Sequence, residues 1–229
     1  MQNNILPIIT LADIDAEIKR RKQNKIKEIF PDSGPLRREL YKKHMEFLRA
    51  TKTYTEVAFI AGNRTGKSET VVFAGTTWLT GDYPKWWEGR VFDRHTDILV
   101  AGETSKLVRD SIQEKFLGPP SDVGTGLIPR DCIFERKPKA GIPDAIDTVR
   151  IRHKDGNLST LRFGSYDQGR EAFQATEYDV VIFDEEPPLA IYTEGMMRTM
   201  TRSGLVLLAF TPIRGVSEVV LQFQEAMRQ

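Results

Sequence analysis

Four apolar runs along the chain indicate buried β-strands. They are TEVAFIAG (55–62), TDILVAG (96–102), DVVIFDEE (179–186) and GLVLLAFTP (204–212). The first is rich in β-branched and apolar residues, and the last two are unbroken apolar runs that end in polar residues. Unbroken runs are typical of strands covered on both faces, as in a parallel sheet between helices. The pattern therefore predicts the centre of such a sheet.

Helical patterns lie next to these predicted strands. They cover residues 37–50, 68–81 and 104–116, and Thr104 or Ser105 is a candidate N-cap for the third. An alternation of strands and helices is typical of an α/β fold. We therefore expect helices on both faces of the sheet.

A different pattern fills the middle of the chain. Residues 147–165 alternate apolar and polar positions on both sides of KDGN, which is typical of a β-hairpin. Residues 117–146 are rich in Gly, Pro and Asp with weak periodicity, so we predict a loop with one short strand at CIFER (132–136).

An N-terminal arm is predicted ahead of the main domain. Residues 13–29 carry six basic residues between 19 and 27, and isoleucines near helical spacing at Ile14, Ile18, Ile26 and Ile29. A solvated helix that packs one apolar stripe is the favoured interpretation, and a DNA-contacting helix is the alternative. The segment FPDSGPL then breaks the helix. We predict an arm over 1–34 and a domain over 35–229.

The composition excludes several classes of protein but does not indicate one function. The 229 residues are 40% hydrophobic and 28% charged, with a formal net charge of +1, which argues against coating nucleic acid by bulk charge. The composition is still compatible with a local basic patch that binds nucleic acid. No apolar run approaches the roughly 20 residues of a membrane helix, so we expect no membrane partner. Cys132 is the single cysteine, which excludes an internal disulfide and a thiolate zinc site.

The segment AGNRTGKS follows the first predicted strand and fits a phosphate-binding loop. In such a loop backbone N–H groups point at phosphates, and the next helix adds its N-terminal partial charge. Ala61 stands where the strict pattern has glycine, and Gly66 lacks the Cβ that would block the approach. Lys67 is expected to reach the β and γ phosphates, and Ser68 to ligate Mg²⁺. The predicted nucleotide contacts are Ala61, Gly62, Asn63, Arg64, Thr65, Gly66, Lys67 and Ser68.

A pair of carboxylates ends the third apolar run. Asp184 and Glu185 follow VVIF, at the carboxyl end of a predicted strand, where α/β ligand sites lie. We predict that Asp184 holds Mg²⁺ beside Ser68 and that Glu185 orients and deprotonates a water. Glu186 is the alternative base, although alternation directs it to the other side. A water-activating glutamate favours hydrolysis over transfer to a small molecule, and a solvent-facing acidic strand end is the competing interpretation.

Arg64 lies inside the phosphate-binding segment. Its guanidinium is a candidate arginine finger that stabilises charge developing on the γ phosphate, as a catalytic residue. The alternative is a surface side chain beside the nucleotide, and the sequence favours neither.

Further blocks of sequence resemble one protein family. LTGDYPKWWEGRVF, ILVAGETSKLVRDSIQ, FGSYDQGREAFQATEYDVVIFDEEPP and LLAFTPIRG occur in that order within 37–215. Together with the two nucleotide segments, they resemble the ATPase domain of the large terminase subunit of tailed double-stranded DNA bacteriophages. A generic phosphate-binding loop predicts neither the tryptophan block nor SYDQGRE, so the resemblance is specific.

The resemblance implies a fold and a set of partners. It implies a RecA-like (ASCE) P-loop NTPase, a mainly parallel central sheet with helices on both faces and a β-hairpin insertion. It also implies an ATPase that uses ATP and Mg²⁺ to move double-stranded DNA through a portal protein into a procapsid. Further implied partners are the small terminase subunit and a homo-oligomeric ring on the portal, with a monomer in isolation. The implied compartment is the host cell cytoplasm.

Individual residues gain roles from the same resemblance. Glu185 is similar to the family's catalytic glutamate, and FTP (210–212) occupies the place of its coupling motif. His44 stands where the family usually has a glutamine that recognises adenine. Arg162 and Arg170 are candidate fingers acting on a neighbouring subunit's ATP, and pairing with acidic groups of the same chain is the alternative.

The sequence also bears on nuclease activity and on two rival functions. Members of the family continue into an RNase H-like nuclease domain. No second cluster of strand-end carboxylates lies before Gln229, so we expect no nuclease activity from these residues and a longer natural protein. The rival functions are a helicase-like translocase, which predicts a second RecA-like domain, and a nucleotide-dependent docking module that assembles a ring with little turnover.

Overall fold

The computed structural model describes residues 10–174, 176–212, 215 and 217–226. Within these residues, seven strands form one mixed sheet in the order β1-β7-β6-β2-β5-β4-β3. β1, β7, β6, β2 and β5 pair in parallel, while β4 and β3 add antiparallel pairs at one edge. The strands are β1 (Glu56–Ile60), β2 (Asp97–Gly102), β3 (Ile133–Pro138), β4 (Ile146–Arg152), β5 (Leu158–Ser165), β6 (Val180–Asp184) and β7 (Leu205–Phe210).

Helices cover both faces of the sheet, as predicted. The helices of the described residues are α1 (Leu11–Gln23), α2 (Lys42–Ala50), α3 (Lys67–Thr80), α4 (Ser105–Val108), α5 (Glu114–Leu117), α6 (Leu189–Met200) and α7 (Glu218–Ala226). A π-helical segment, Arg109–Gln113, joins α4 to α5. One hydrophobic core contains residues of α2, α3 and α5, and a second contains residues of α6 and α7. The result is a three-layer α/β fold.

Local signals in the sequence explain where the central helix begins and ends. α3 starts after Gly66 and ends before Gly81, and both glycines adopt a left-handed backbone, with φ of +83° and +71°. Glycine takes this conformation at little cost. The Thr104 hydroxyl accepts from the Leu107 N–H at 3.2 Å and caps α4, as the sequence predicted.

The parallel register aligns the carboxyl ends of the central strands. Ile60 pairs with Phe210, and Asp184 pairs with Ala209. The four strands predicted from the apolar runs are confirmed. They lie next to one another in the sheet, in the order β1-β7-β6-β2. The predicted hairpin is also present as β4 and β5, and β5 joins it to the central sheet by pairing with β2.

The N-terminal helix differs from the prediction. α1 ends at Gln23, and none of its residues is buried. Ile14 and Ile18 are 45% and 46% exposed, whereas Ile26 packs into the first core. The backbone leaves the helix at Asn24, where φ is −129°, and this bend separates the two halves of the apolar stripe. The interpretation of one packed apolar stripe is therefore wrong for α1, and the boundary between arm and domain stays a prediction.

No helix of the described ranges has the length and apolar character to cross a membrane.

A buried carboxylate anchors the start of β6. Asp179 is fully buried, and its carboxylate accepts from Arg94 at 2.6 Å, from Arg202 at 3.2 Å and from the Asp97 N–H at 2.8 Å. Charge-assisted hydrogen bonds offset the cost of burying the carboxylate. The same strand ends at Asp184, so this anchor also fixes the position of the predicted site.

We expect Asp179→Asn to lower the free energy of unfolding by about 1–3 kcal/mol, because bonds to both arginines lose the anionic acceptor. Urea denaturation measures this value. Asp15→Asn, at an exposed position of α1, is the control and should change the free energy by less than about 0.5 kcal/mol. Equal stability of the two variants would contradict the anchoring role.

Candidate nucleotide-binding site

The predicted phosphate-binding loop lies between β1 and α3. Residues 62–66 are exposed, and the loop leads directly into the N-terminus of α3, whose free N–H groups attract anions. A Cβ on Gly66 would lie 3.2 Å from Nε2 of His44, in addition to the strain of its positive φ. The prediction that glycine is needed here agrees with the local geometry.

Lys67 ties this loop to the end of β7. Lys67 is buried as a residue, and its ammonium donates to the Gly62 carbonyl at 2.7 Å and to the Thr211 hydroxyl at 3.0 Å. The Thr211 hydroxyl in turn donates to Oδ1 of Asn63 at 2.8 Å. The segment FTP therefore contacts the loop at two side chains. Sequence reasoning expected a coupling role for FTP but not this contact.

Ser68 and Asp184 meet, as the sequence predicted. The Ser68 hydroxyl donates to Oδ1 of Asp184 at 2.7 Å, across 116 residues of sequence. Burial raises the pKa of Asp184, while hydrogen bonds and nearby lysines act against the rise. A hydroxyl and a buried carboxylate that lacks full charge compensation form a donor set suited to Mg²⁺. The residues present therefore fit the predicted metal.

Ser111 is a further partner of Asp184 that sequence reasoning missed. A hydrogen bond from its side chain lowers the pKa of the carboxyl group. Ser111 lies in the π-helical segment between α4 and α5, and π-helical turns occur often at functional sites. Helical periodicity does not show where such a turn occurs, so no signal in the sequence could have indicated this contact.

Glu185 adopts an unusual backbone conformation at the end of β6. Its φ is +74°, a value that non-glycine residues rarely adopt. Its N–H donates to the Ala209 carbonyl at 3.1 Å, and its carboxylate receives a hydrogen bond from the Thr211 backbone. Desolvation, followed by the nearby Asp184, raises the pKa of Glu185. The nearby Lys67 acts against the rise, so the carboxylate lies within electrostatic range of the phosphate-binding segment. The role of Glu185 as the base, with Glu186 as the alternative, stays a prediction.

Tyr166 contacts the Glu185 backbone, which sequence reasoning also missed. Its hydroxyl donates to the Glu185 carbonyl at 2.8 Å. Burial, followed by the charges of Asp184 and Glu185, raises the pKa of Tyr166 well above its usual range. The hydroxyl is therefore a neutral donor. SYDQGRE was noted as a distinctive block, but nothing in its pattern indicated this contact.

The three candidate arginine fingers have different surroundings. Arg64 is exposed at the tip of the loop, with a φ of +60°. Arg170 forms an ion pair with the buried Glu194 at 2.6 Å, as the intrachain alternative predicted. Arg162 hydrogen-bonds to the Thr176 and Tyr178 hydroxyls at 3.3 and 3.4 Å, which are not acidic groups. A catalytic role for any of the three stays a prediction.

An apolar cavity of about 220 Å³ adjoins the loop. The His44 ring bonds through Nε2 to the Thr65 carbonyl at 2.8 Å, so Nε2 carries the hydrogen. This places His44 between the loop and the cavity, where the family resemblance implied adenine recognition. The lining residues are Ile29, Phe30, Leu36, Tyr41, His44, Gly66 and Glu69. Two of them, Ile29 and Phe30, belong to the predicted arm, so the arm contributes to the lining of this cavity.

Comparison with known proteins settles the family. The profile of the family described as terminase large subunit, T4likevirus-type, N-terminal, matches residues 58–228. The chain belongs to this family. The large terminase subunit of Salmonella phage P22 is a curated relative that is 34% identical over an alignment of 204 residues, and the alignment covers 80% of this chain and 41% of the relative. This terminase chain therefore spans about two fifths of that relative's length.

A solved structure supports the fold of this terminase domain. The large terminase from a thermophilic bacteriophage aligns with a TM-score of 0.52 and 12% identity, over 91% of this chain and 43% of that chain. At that identity the likeness concerns the fold alone. The resemblance to terminases and the RecA-like α/β fold expected from the sequence are both confirmed.

The cavity leads to a prediction about nucleotide affinity. We predict that this cavity receives the adenine ring. Leu36 is half-exposed and lines the cavity, so Leu36→Asp would place a charge beside the predicted adenine position without removing a core side chain. We expect ATP to bind about ten-fold more weakly, which is about 1.4 kcal/mol. Isothermal titration with a non-hydrolysable ATP analogue measures this change.

Leu40→Asp is the matched control. Leu40 is similarly exposed but does not line the cavity, so its substitution should change the affinity less than two-fold. Equal weakening by both variants would show that the cavity is not the adenine site.

Proposed function

We propose that this chain is the ATP-hydrolysing motor domain of a phage terminase large subunit and that it powers movement of double-stranded DNA into a procapsid. One observation carries the proposal. Hydrogen bonds link Lys67 to Thr211 after β7, Ser68 to Asp184 at the end of β6, and the Thr211 backbone to the carboxylate of Glu185. Membership of the terminase family supports the same function.

Phosphate binding is assigned to the loop and Lys67. The loop N–H groups and the N-terminus of α3 attract the anion. The Lys67 ammonium is bound at present to two neutral oxygens, of Gly62 and Thr211. Since charge-assisted bonds to phosphate are stronger than bonds to neutral oxygens, a phosphate competes effectively for this ammonium.

Ser68 and Asp184 are assigned to Mg²⁺, which when bound would neutralise charge on the phosphates. Glu185 is assigned to the attacking water, which its carboxylate orients and deprotonates. A raised pKa makes this carboxylate a stronger base. Arg64, at the exposed tip of the loop, is assigned to the charge that develops during hydrolysis.

Thr211 is assigned to coupling. Its hydroxyl contacts Lys67 and Asn63, and its backbone contacts the Glu185 carboxylate. A change in the phosphate ligands of Lys67 therefore alters the hydrogen bonds at the end of β7. This contact is the route within the chain by which hydrolysis is proposed to be linked to DNA movement.

The partners of the whole motor are part of the proposal. They are double-stranded DNA, the portal of the procapsid, the small terminase subunit and further copies of the chain in a ring, in the host cytoplasm. The DNA contact is proposed to be phosphate-directed and salt-sensitive, because a packaging motor accepts every sequence. Nuclease activity is not expected from these residues.

We expect Glu185→Gln to lower phosphate release at least about 100-fold, because the amide cannot accept the proton of the water. The affinity for an ATP analogue should change less than two-fold. Phosphate release is measured with double-stranded DNA and portal-bearing procapsids present. Glu186→Gln is the control and should keep most of the activity.

The outcome separates the proposed motor from its rivals. Equal rates near background for wild type and Glu185→Gln would remove the hydrolase and favour a docking module, whereas equal rates well above background would remove only Glu185 as the base. Stimulation by forked DNA but not by procapsids would favour a helicase-like translocase.

Two substitutions test the role of Arg64. Together they separate the effect of its backbone conformation from the effect of its side chain. Glycine accepts a φ of +60° without strain, so Arg64→Gly should fold at least as stably as wild type. We expect both Arg64→Gly and Arg64→Lys to lower the rate of hydrolysis by about 100-fold or more, because neither presents the planar guanidinium. Wild-type turnover by Arg64→Gly would identify Arg64 as a surface side chain.

A further inference from the structure

The backbone of Glu185 is held in its left-handed conformation by two hydrogen bonds. Its N–H donates to the Ala209 carbonyl of β7 at 3.1 Å, and its carbonyl accepts from the Tyr166 hydroxyl at 2.8 Å. A non-glycine residue keeps a positive φ only where its surroundings impose it. One of the two bonds belongs to the sheet, so Tyr166 supplies the side-chain restraint on this peptide.

Tyr166 is itself firmly placed. It follows β5 in a 3₁₀ turn that the Ser165 and Gln168 side chains close as a capping box. The Ser165 hydroxyl also bonds to the Ser105 hydroxyl at 2.7 Å. The Tyr166 ring packs against Phe183 of β6, with 6.0 Å between ring centroids. The turn after β5 therefore places the Tyr166 hydroxyl at the end of β6. A hydrogen bond to the start of α4 holds this turn in place.

The hydroxyl of Tyr166 lies near three backbone carbonyls. The Glu185 carbonyl is closest at 2.8 Å, and those of Ala101 and Asp184 are at 3.3 Å. A phenol has one proton to donate, and the shortest distance assigns it to Glu185. The packing of the ring alone would require only a phenylalanine, so the hydroxyl has a separate role.

We propose that Tyr166 is a positioning residue for hydrolysis: its hydroxyl fixes the Glu185 peptide so that the carboxylate is directed toward the phosphate-binding loop. This inference rests on the proposed role of Glu185 as the base. Without the hydroxyl, the Glu185 carbonyl loses its donor and the peptide is free to rotate toward an ordinary conformation. Such a rotation moves the carboxylate away from Thr211 and the loop.

Tyr166→Phe tests the proposal, because it removes the hydroxyl and keeps the ring on Phe183. We expect kcat for ATP hydrolysis to fall about ten-fold, while KM and the affinity for an ATP analogue change less than two-fold. Tyr83→Phe is the matched control. It also removes a hydroxyl that donates to a backbone carbonyl, that of Phe92 at 3.0 Å, and it should leave kcat within two-fold of wild type once folding is verified by urea denaturation.

A double substitution distinguishes positioning from general damage. In a Glu185→Gln background the peptide has no base to direct, so Tyr166→Phe should cause no further loss of kcat. An unchanged kcat in the single Tyr166→Phe variant would overturn the inference, as would an equal loss of kcat and analogue affinity. A multiplicative loss in the double variant would also overturn it.

The two proposals fail in different ways. If Glu185→Gln hydrolyses ATP at the wild-type rate, the proposed base is wrong and the inference about Tyr166 falls with it. If Glu185→Gln is inactive but Tyr166→Phe retains full kcat, the proposed function stands and only the positioning role is overturned.

Discussion

Parallel pairing of β1, β7 and β6 is the constraint on which the site depends. It places the ends of three strands at one edge of the sheet, so that the loop after β1 meets Asp184 and Thr211. Ser68 and Asp184 bond across 116 residues of sequence for this reason. Any change that shifts the register of β6 or β7 moves the predicted metal ligand and the predicted general base together.

The second feature of the site is a local shortage of positive charge. Asp184 is buried, and burial raises its pKa even though two lysines and two hydroxyls act in the opposite direction. Glu185 lies beside it, and each carboxylate disfavours the charge of the other. A divalent cation bound there would relieve both effects at once. Metal binding is therefore proposed to affect the charge of the proposed base, whose backbone carbonyl accepts a hydrogen bond from Tyr166.

Much of this fold was predictable from the sequence, and the physical reasons are specific. The four apolar runs identified β1, β2, β6 and β7 because strands buried on both faces have no polar alternation. The position of the loop and the contact between Ser68 and Asp184 were predictable because the predicted phosphate and metal site requires particular residue types at fixed spacing. The family was predictable from the longer sequence blocks, and the terminase profile confirmed it.

Other parts of the structure depend on tertiary geometry and were not predictable from the sequence. The contacts of Ser111 and Tyr166 arise from a π-helical turn and from strand order, which local patterns do not encode. The bend at Asn24 divided an apolar stripe that looked continuous at helical spacing, and the positive φ of Glu185 is imposed by its neighbours and not by its own residue type.

The central claim is that the loop after β1 and the ends of β6 and β7 form one site for ATP and Mg²⁺. A crystal structure of the chain with a non-hydrolysable ATP analogue and Mg²⁺ tests this most directly. The account predicts phosphates on residues 61–68, the metal at Ser68 and Asp184, and the adenine ring beside His44. Phosphates bound elsewhere, or a metal that contacts neither Ser68 nor Asp184, would contradict it.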